Sequence, residues 1–438
     1  MRALGPDGDG RVETTEGVVS APLALPEERV VLGAVRRSGR ALRGRVVRVE
    51  ASSPERVPPV CAHVEACGGC PLMVASRALE RDFKLGRLRQ ALARALVAGP
   101  EGAAAREAPI DGSMPAAALP VGWHEGPATE AYRRRARLAF DARGAGAEGG
   151  APRLGYRRRR GNTLVDVERC PVLAPPLDDA WQAIRALLRG VLAGHGEIGL
   201  ALVDRERVSV HIRAAEPQPP AAYAACEALL EQASVAGVSL SVLDAPPATW
   251  GDGVERVPSD RLEAPWLEGT AGGFSQANDA VNAALVRHVV ELAEPAGARV
   301  LELYCGHGNL TVPLAVRARH VVAVEQSAEA CRACERNLRA RGLTASVRCA
   351  DAASGAWGDA RFDVVVLDPP RVGAADALPR IVEARPERVV YVSCDPRSLG
   401  RDLTWLGEQG YAVDRADAFD MFPHTAHVES VVRLRRLG

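Results

Sequence analysis

From Gly272 onward, four short apolar runs, "RVLELYCG", "HVVAVE", "FDVVVLDPP" and "RVVYVSC", alternate with helix-patterned sequence. Strands that read as continuous apolar runs are buried on both faces, and strands separated by helices run parallel. This stretch is expected to form an α/β, Rossmann-like domain: a mostly parallel sheet with helices on both faces. In such sheets ligands bind beyond the carboxyl ends of the strands. Each run ends there on residues able to do chemistry.

The first run leads into Gly306 and Gly308. Glycines between a strand and a helix let the backbone pass close to a ligand and leave helix N–H groups free to meet it. About twenty residues later the second run ends on Glu325, whose carboxylate can take both hydroxyls of a ribose. Asp351, after "ASVRCAD", can meet an adenine amino group. Either acid could instead cap a helix, but in this order they describe a nucleoside pocket. A nicotinamide site is disfavoured: the loop lacks the third glycine, and "LDPPR" is foreign to dehydrogenases. Asp-Pro-Pro at this strand end suits S-adenosylmethionine-dependent methyltransferases acting on planar nitrogens or bases. The prolines fix a rigid rim poor in hydrogen-bond donors, and Asp368 can bond ligand or substrate.

The last run ends on a thiol, Cys394, exposed by the turn "SCDP". Carbon 5 of uracil is a poor nucleophile until a thiolate adds to carbon 6 and turns the ring into an enolate. A base must then remove the carbon 5 proton before the thiol can leave. The segment "DMFPHTAHVES" offers His424, His427 and Glu429. A carboxylate in a dry pocket can be tuned to accept and release that proton, so Glu429 is the choice.

Upstream, residues 1–53 show short alternating runs expected to form a small β-barrel, with Arg36, Arg37, Arg40, Arg43, Arg45 and Arg48 on one hairpin. Residues 54–265 are read as an α+β central domain and residues 266–438 as the methyltransferase domain. The central region carries a helix near Met73 to Val97, then an Ala/Gly/Pro-rich linker at 99–120. Two basic runs follow, Arg133 to Arg135 and Arg157 to Arg160, beside Tyr132 and Tyr156, and are expected to face RNA. Residues 180–265 carry no interpretable motif. Cys61, Cys67 and Cys70 form C-x5-C-x2-C and Cys170 follows the second basic strand; four thiolates suit an iron-sulfur cluster or zinc. Cys226, Cys305, Cys331, Cys334 and Cys349 are expected to be buried packing residues.

"FSQAN", "LELYCGHGNLT", "LDPPR", "YVSCDP" and "DMFPHTAHVES", in this order, resemble the RNA uridine C5-methyltransferases, especially those making 5-methyluridine in 23S ribosomal RNA. The resemblance spans nearly the whole chain. It implies Cys394 as nucleophile and Glu429 as base, Gln276 against the methyl donor or the target base, and Tyr304, Gly306, Glu325, Asp351 and Asp368 around S-adenosylmethionine. It also implies a TRAM-like, OB-like barrel for residues 1–53 and selects a 4Fe-4S cluster for Cys61, Cys67, Cys70 and Cys170. The chain departs from the family after Cys70, where "PLMVAS" replaces a common Gln-His pair.

Formal net charge is zero, which excludes a globally basic nucleic-acid binder but not local arginine patches; Lys84 is the only lysine. No apolar segment has the length of a membrane helix or signal core, so a cytoplasmic, monomeric enzyme without membrane association is expected. Competing readings are the same chemistry on transfer RNA, or a non-catalytic RNA-binding assembly factor. The sequence names neither the uridine nor the purpose of the cluster.

Overall fold

A computed structural model describes residues 3–98, 119–144, 152–270, 272–358 and 360–437. The expected linker therefore lies almost wholly outside the described residues. The chain divides into two compact units, Met1–Lys84 with Thr129–Gly253 and Phe422–Ala426, and Leu85–Ala128 with Val254–Met421 and His427–Gly438.

The second unit is built on an eight-stranded sheet. Its order is Ser346–Cys349, His320–Glu325, Arg299–Leu303, Val364–Leu367, Arg388–Ser393, Glu429–Arg436, Tyr411–Phe419, Val121–His124. The first five strands are parallel, and Glu429–Arg436 runs antiparallel to both neighbours. Period-two alternation sorts the apolar side chains between two helical layers. Leu301, Leu303, Val365, Leu367, Val389 and Tyr391 join a core with Leu88, Leu92, Leu399 and Leu403. The intervening Val300, Val364, Val366, Val390 and Val392 are equally buried. The doubly covered parallel sheet expected from the four apolar runs is present. Upstream Val121–His124 adds a parallel edge strand that the sequence did not announce. His124 and His288, the latter on the helix Asp279–Ala293, both donate to buried Asp417, at 3.2 and 2.9 Å. Arg415 adds contacts of 2.7 and 2.9 Å to that carboxylate, so its charge is already compensated.

The first unit holds two sheets. The N-terminal sheet pairs Ala3–Leu4, Gly10–Thr14, Gly17–Ala21, Ala41–Ala51 and Arg29–Ser38 in that order around a small core of Val12, Ala21 and Ala24. The strands of the seven-stranded sheet fall between Arg135 and Gly251, and the helices Pro175–Leu188 and Pro220–Ala228 pack into its core. Both helices begin on proline, whose missing N–H is one that a first turn leaves unpaired anyway. Trp181, fully buried, donates its indole N–H to Val167 O at 2.9 Å.

The basic runs need correction. Arg134 is only 2% exposed and donates to Leu202 O at 2.7 Å; Arg133 turns inward to the Tyr132 hydroxyl at 3.2 Å. Arg159 and Arg160 both pair with Asp9. Arg133 and Arg134 precede their strand and Arg159 and Arg160 follow theirs, where nearby oxygens hold the guanidinium groups; among the described residues, Arg157 and Arg158 of the second run stay exposed with no carboxylate partner.

The helix expected from Met73 runs from Arg77 to Ala98, because Ser76 Oγ accepts the Leu79 N–H at 3.1 Å and caps it. One turn in, Lys84 Nζ lies 2.6 Å from Glu80 Oε1, and neither side chain has any solvent exposure. Lys84 also donates to Phe422 O at 3.0 Å, and the same Glu80 oxygen takes the His424 N–H at 2.8 Å. A buried pair is costly to break from one side because the remaining charge loses its compensation. Lys84→Met should cost about 3 kcal/mol in urea unfolding, and Glu80→Gln added to it should recover part of the loss. A cost under about 0.5 kcal/mol for the single change would show that Arg77 alone satisfies Glu80.

Candidate active site and a cysteine-lined cavity

In the second unit the predicted donor residues gather at the carboxyl ends of the parallel strands. Arg299–Leu303 gives way to Tyr304, Gly306 and Gly308, all left-handed at φ 63°, 56° and 98°. Left-handed tyrosine is strained, a cost met mainly where surroundings fix the chain for a purpose. A Cβ on Gly306 would meet nothing within 4 Å, so the loop faces open space; one on Gly308 would stand 3.1 Å from Cys334 Sγ. Glu325 ends its strand and holds the loop from the side, accepting from Gly306 N at 3.1 Å and Ser327 N at 2.8 Å. Asp351 follows the outer strand and caps the short helix Ala352–Ser354, accepting from Ala353 N at 2.7 Å with its side chain still exposed. Both roles weighed for it are thus compatible. Gln276 is buried, and its Oε1 has no hydrogen-bond partner among the described residues.

The thiol and the carboxylate are brought together by strand register. Ser393, last residue of its strand, pairs with Ser430 of the antiparallel neighbour. Cys394 follows Ser393 out of its strand and Glu429 precedes Ser430 at the start of the other, so thiol and carboxylate flank the end of this ladder, close enough for the Glu429 charge to act on the thiol. Asp395 caps the helix Pro396–Glu408 through Arg397 N at 2.7 Å and Ser398 N at 3.3 Å, which fixes the turn carrying the thiol. Asp368 follows the next strand over. The structure therefore assembles Cys394, Glu429 and Asp368 at one sheet end.

Their electrostatics are coupled. Burial pushes the Glu429 carboxyl up to about 8, with Asp368 adding to the rise and Arg371 opposing it. Burial also lifts Asp368 to about 6. The Cys394 thiol rises to about 12, through burial first and then the charges of Glu429 and Asp368, again against Arg371. Burial first, and the neighbouring Asp368 charge second, favour the thiol and the protonated Glu429 in this site at neutral pH. It can take up and release protons near pH 8, as general acid–base work requires.

Three contributors escaped the sequence reading. Arg371 is the cation facing both groups. Asp402, buried on the thiol-side helix, accepts from Ala374 N and Tyr391 Oη at 2.7 Å each and so ties down the loop after Asp-Pro-Pro. Glu302, buried on the strand that leads into the glycine loop, has its carboxyl pushed up by burial. Arg371 stands in the quoted "LDPPR"; the other two carry no local signal. Of the two histidines, His424 sits in the first unit, its carbonyl accepting from Leu72 N at 2.9 Å.

In the first unit Cys61, Cys67, Cys70 and Cys170 converge on a cavity of about 40 Å³ that Val64, Met73, Tyr156 and Arg133 also line. The thiols carry no disulfide. Burial pushes Cys70 up to about 12 and Cys170 to about 11, so in the absence of a cation they are protonated. Thiolates on one zinc sit roughly 3.8 Å apart, from Zn–S bonds near 2.3 Å in a tetrahedron. Among the described residues, the only His, Cys, Asp or Glu trio with ligand atoms mutually within 4.8 Å is His124, His288 and Asp417. Among the described residues, no three of these four sulfurs lie mutually within 4.8 Å. Cys226, Cys305, Cys331 and Cys334 are buried as expected, but Cys349 is exposed, because it ends an outermost strand with its thiol on Gln326 O at 3.6 Å.

Sheet order, glycine loop and Asp-Pro-Pro rim define an α/β methyltransferase. Residues 266–387 match the methyltransferase small domain family and residues 354–437 the tRNA (uracil-5-)-methyltransferase family. The fold is that of the Pyrococcus abyssi tRNA (uracil-54, C5)-methyltransferase solved with S-adenosyl-L-homocysteine: TM-score 0.74 and 23% identity, over 99% of this chain and 98% of that one. A 23S rRNA (uracil(1939)-C(5))-methyltransferase of Shewanella putrefaciens is 33% identical over 97% of this chain and 92% of its own length. Its Klebsiella pneumoniae counterpart is 34% identical over 99% and 94%. The chain belongs to the RNA uracil-5-methyltransferase family.

The raised Glu429 carboxyl has a stability consequence. Above the ordinary carboxyl value of 4.5 and below about 8 the folded state keeps a proton that the unfolded chain has lost, so stability falls as pH rises through that window. Melting temperature should drop between pH 6 and pH 8.5 in the wild type and drop less in Glu429→Gln. Equal drops in both proteins would show that the carboxyl is not raised.

Proposed function

We propose that this chain transfers a methyl group from S-adenosylmethionine to carbon 5 of a uridine in RNA, with 23S ribosomal RNA in the cytoplasm as the substrate its relatives' names support. The observation that supports the reading is that Cys394 and Glu429 flank the end of one antiparallel strand pair. S-adenosylmethionine supplies an electrophilic methyl on a sulfonium sulfur. Gly306 and Tyr304 shape the donor loop, Glu325 and Asp351 take its nucleoside, and Gln276 and Asp368 face its reactive end or the base. Cys394 Sγ, once deprotonated, adds to carbon 6 of a uridine swung out of its stack. The resulting enolate takes the methyl at carbon 5. Glu429, having lost its own proton to solvent as the positive sulfonium binds beside it, then removes the carbon 5 proton, and the carbon–sulfur bond breaks to restore the ring double bond and the thiolate.

Residues 1–53 serve as a TRAM-like RNA-binding module; Arg36, Arg37, Arg43 and Arg45 line one open groove with Arg160, suited to a phosphate backbone. Cys61, Cys67, Cys70 and Cys170 hold a 4Fe-4S cluster that staples the surrounding domain. Four cysteines lining one cavity support a metal centre, and the family resemblance favours the cluster over zinc. Transfer RNA as substrate has the support of fold likeness and of a family description alone.

Cys394→Ala should bind RNA and donor yet give neither adduct nor product. Glu429→Gln should still add and methylate but stall at elimination, leaving a protein–RNA species on a denaturing gel that depends on the methyl donor. Full activity in Cys394→Ala would end the mechanism; absence of any methyl transfer by the wild type to unmodified 23S RNA would favour a non-catalytic RNA-binding factor. Anaerobically purified protein should be brown, with about four iron and four acid-labile sulfide per chain. One zinc and no sulfide would overturn the cluster.

A further inference from the structure

Arg133 has a place that neither the methyl transfer nor RNA binding uses. Its guanidinium faces the cavity lined by the four cysteines. Its Nε donates to the neutral Tyr132 hydroxyl at 3.2 Å, and its head lies 5.8 Å from the ring centres of Tyr132 and Phe422. Among the described residues no carboxylate comes within ion-pair distance of it. Arg159, the other arginine near these thiols, differs: it pairs with Asp9 at 3.5 Å. A guanidinium withdrawn from water without an anion is strongly unfavourable, so Arg133 needs a counter-charge that the side chains around it do not supply. Four thiolates on a 4Fe-4S core of charge +2 carry a net charge of −2, and reduction by one electron makes it −3.

We propose that Arg133 is the charge partner of the centre held by Cys61, Cys67, Cys70 and Cys170, and that it raises the reduction potential of that centre and slows its loss. The inference rests on the cluster reading above. A nearby positive charge favours the more negative, reduced state, and attraction to the oxidised centre holds iron in place. Arg133 acts on the centre through space and is not a catalytic residue.

The test uses the full chain purified anaerobically, with iron and sulfide assayed first, then a redox titration and the rate of bleaching by an iron chelator. Arg133→Gln and Arg133→Met remove the charge with different packing, so whichever folds serves; Arg133→Lys keeps it. Either neutral variant should show a more negative midpoint potential and bleach at least tenfold faster, while Arg133→Lys should stay within about threefold of wild type. A cluster-bearing wild type whose folded neutral variants match it in potential and bleaching rate overturns this inference alone. So does an Arg133→Lys protein that behaves like the neutral variants. A wild type without iron and sulfide overturns the cluster reading, and this one with it.

Discussion

The antiparallel pairing of Arg388–Ser393 with Glu429–Arg436 is the constraint on which the candidate active site depends. Thiol and carboxylate are far apart in sequence, and no local element joins them. A sheet ladder has period two, so a slip of one residue would send Glu429 to the opposite face. The apolar residues along both strands prevent that slip, because moving the ladder would also move Val432 and Leu434 out of the core they share with Val389 and Tyr391. The hydrophobic core therefore sets the catalytic distance.

That arrangement has an electrostatic cost visible at the site. Three acidic groups, one a thiol, sit in partly dry surroundings with Arg371 as the opposing charge. The result is a carboxyl poised near neutrality rather than fully ionised, and a thiol that needs help to deprotonate. A bound sulfonium would add positive charge beside the same groups, and the polar edge of a uracil would replace the water they have lost. The site is thus arranged to change its protonation as it fills.

The sequence disclosed those parts of the fold that repeat a local period. The four buried strands, the glycine turn and the acids at strand ends were legible because each is a property of a few adjacent residues. What escaped depends on distant partners. Asp402 reaches a loop 28 residues earlier, and Val121–His124 joins a sheet whose other strands begin far downstream. The arginine runs misled for a related reason: charge along the chain does not tell which carbonyls and hydroxyls from distant segments will meet a guanidinium, so Arg133 and Arg134 read as surface and turn inward. Cys349 erred the other way, a small apolar-looking residue left exposed at a sheet edge.

The lone lysine, sealed against Glu80, leaves the folded surface with guanidinium as its only side-chain cation above neutral pH. Arginine stays charged at any pH a cell visits and is not a substrate for the acetyl transfers that neutralise lysine. The attraction of this protein for polyanions is therefore fixed at synthesis. Enzymes that acetylate lysine have nothing on the native surface to act on, and amine-directed reagents would reach Lys84 only in molecules that have opened.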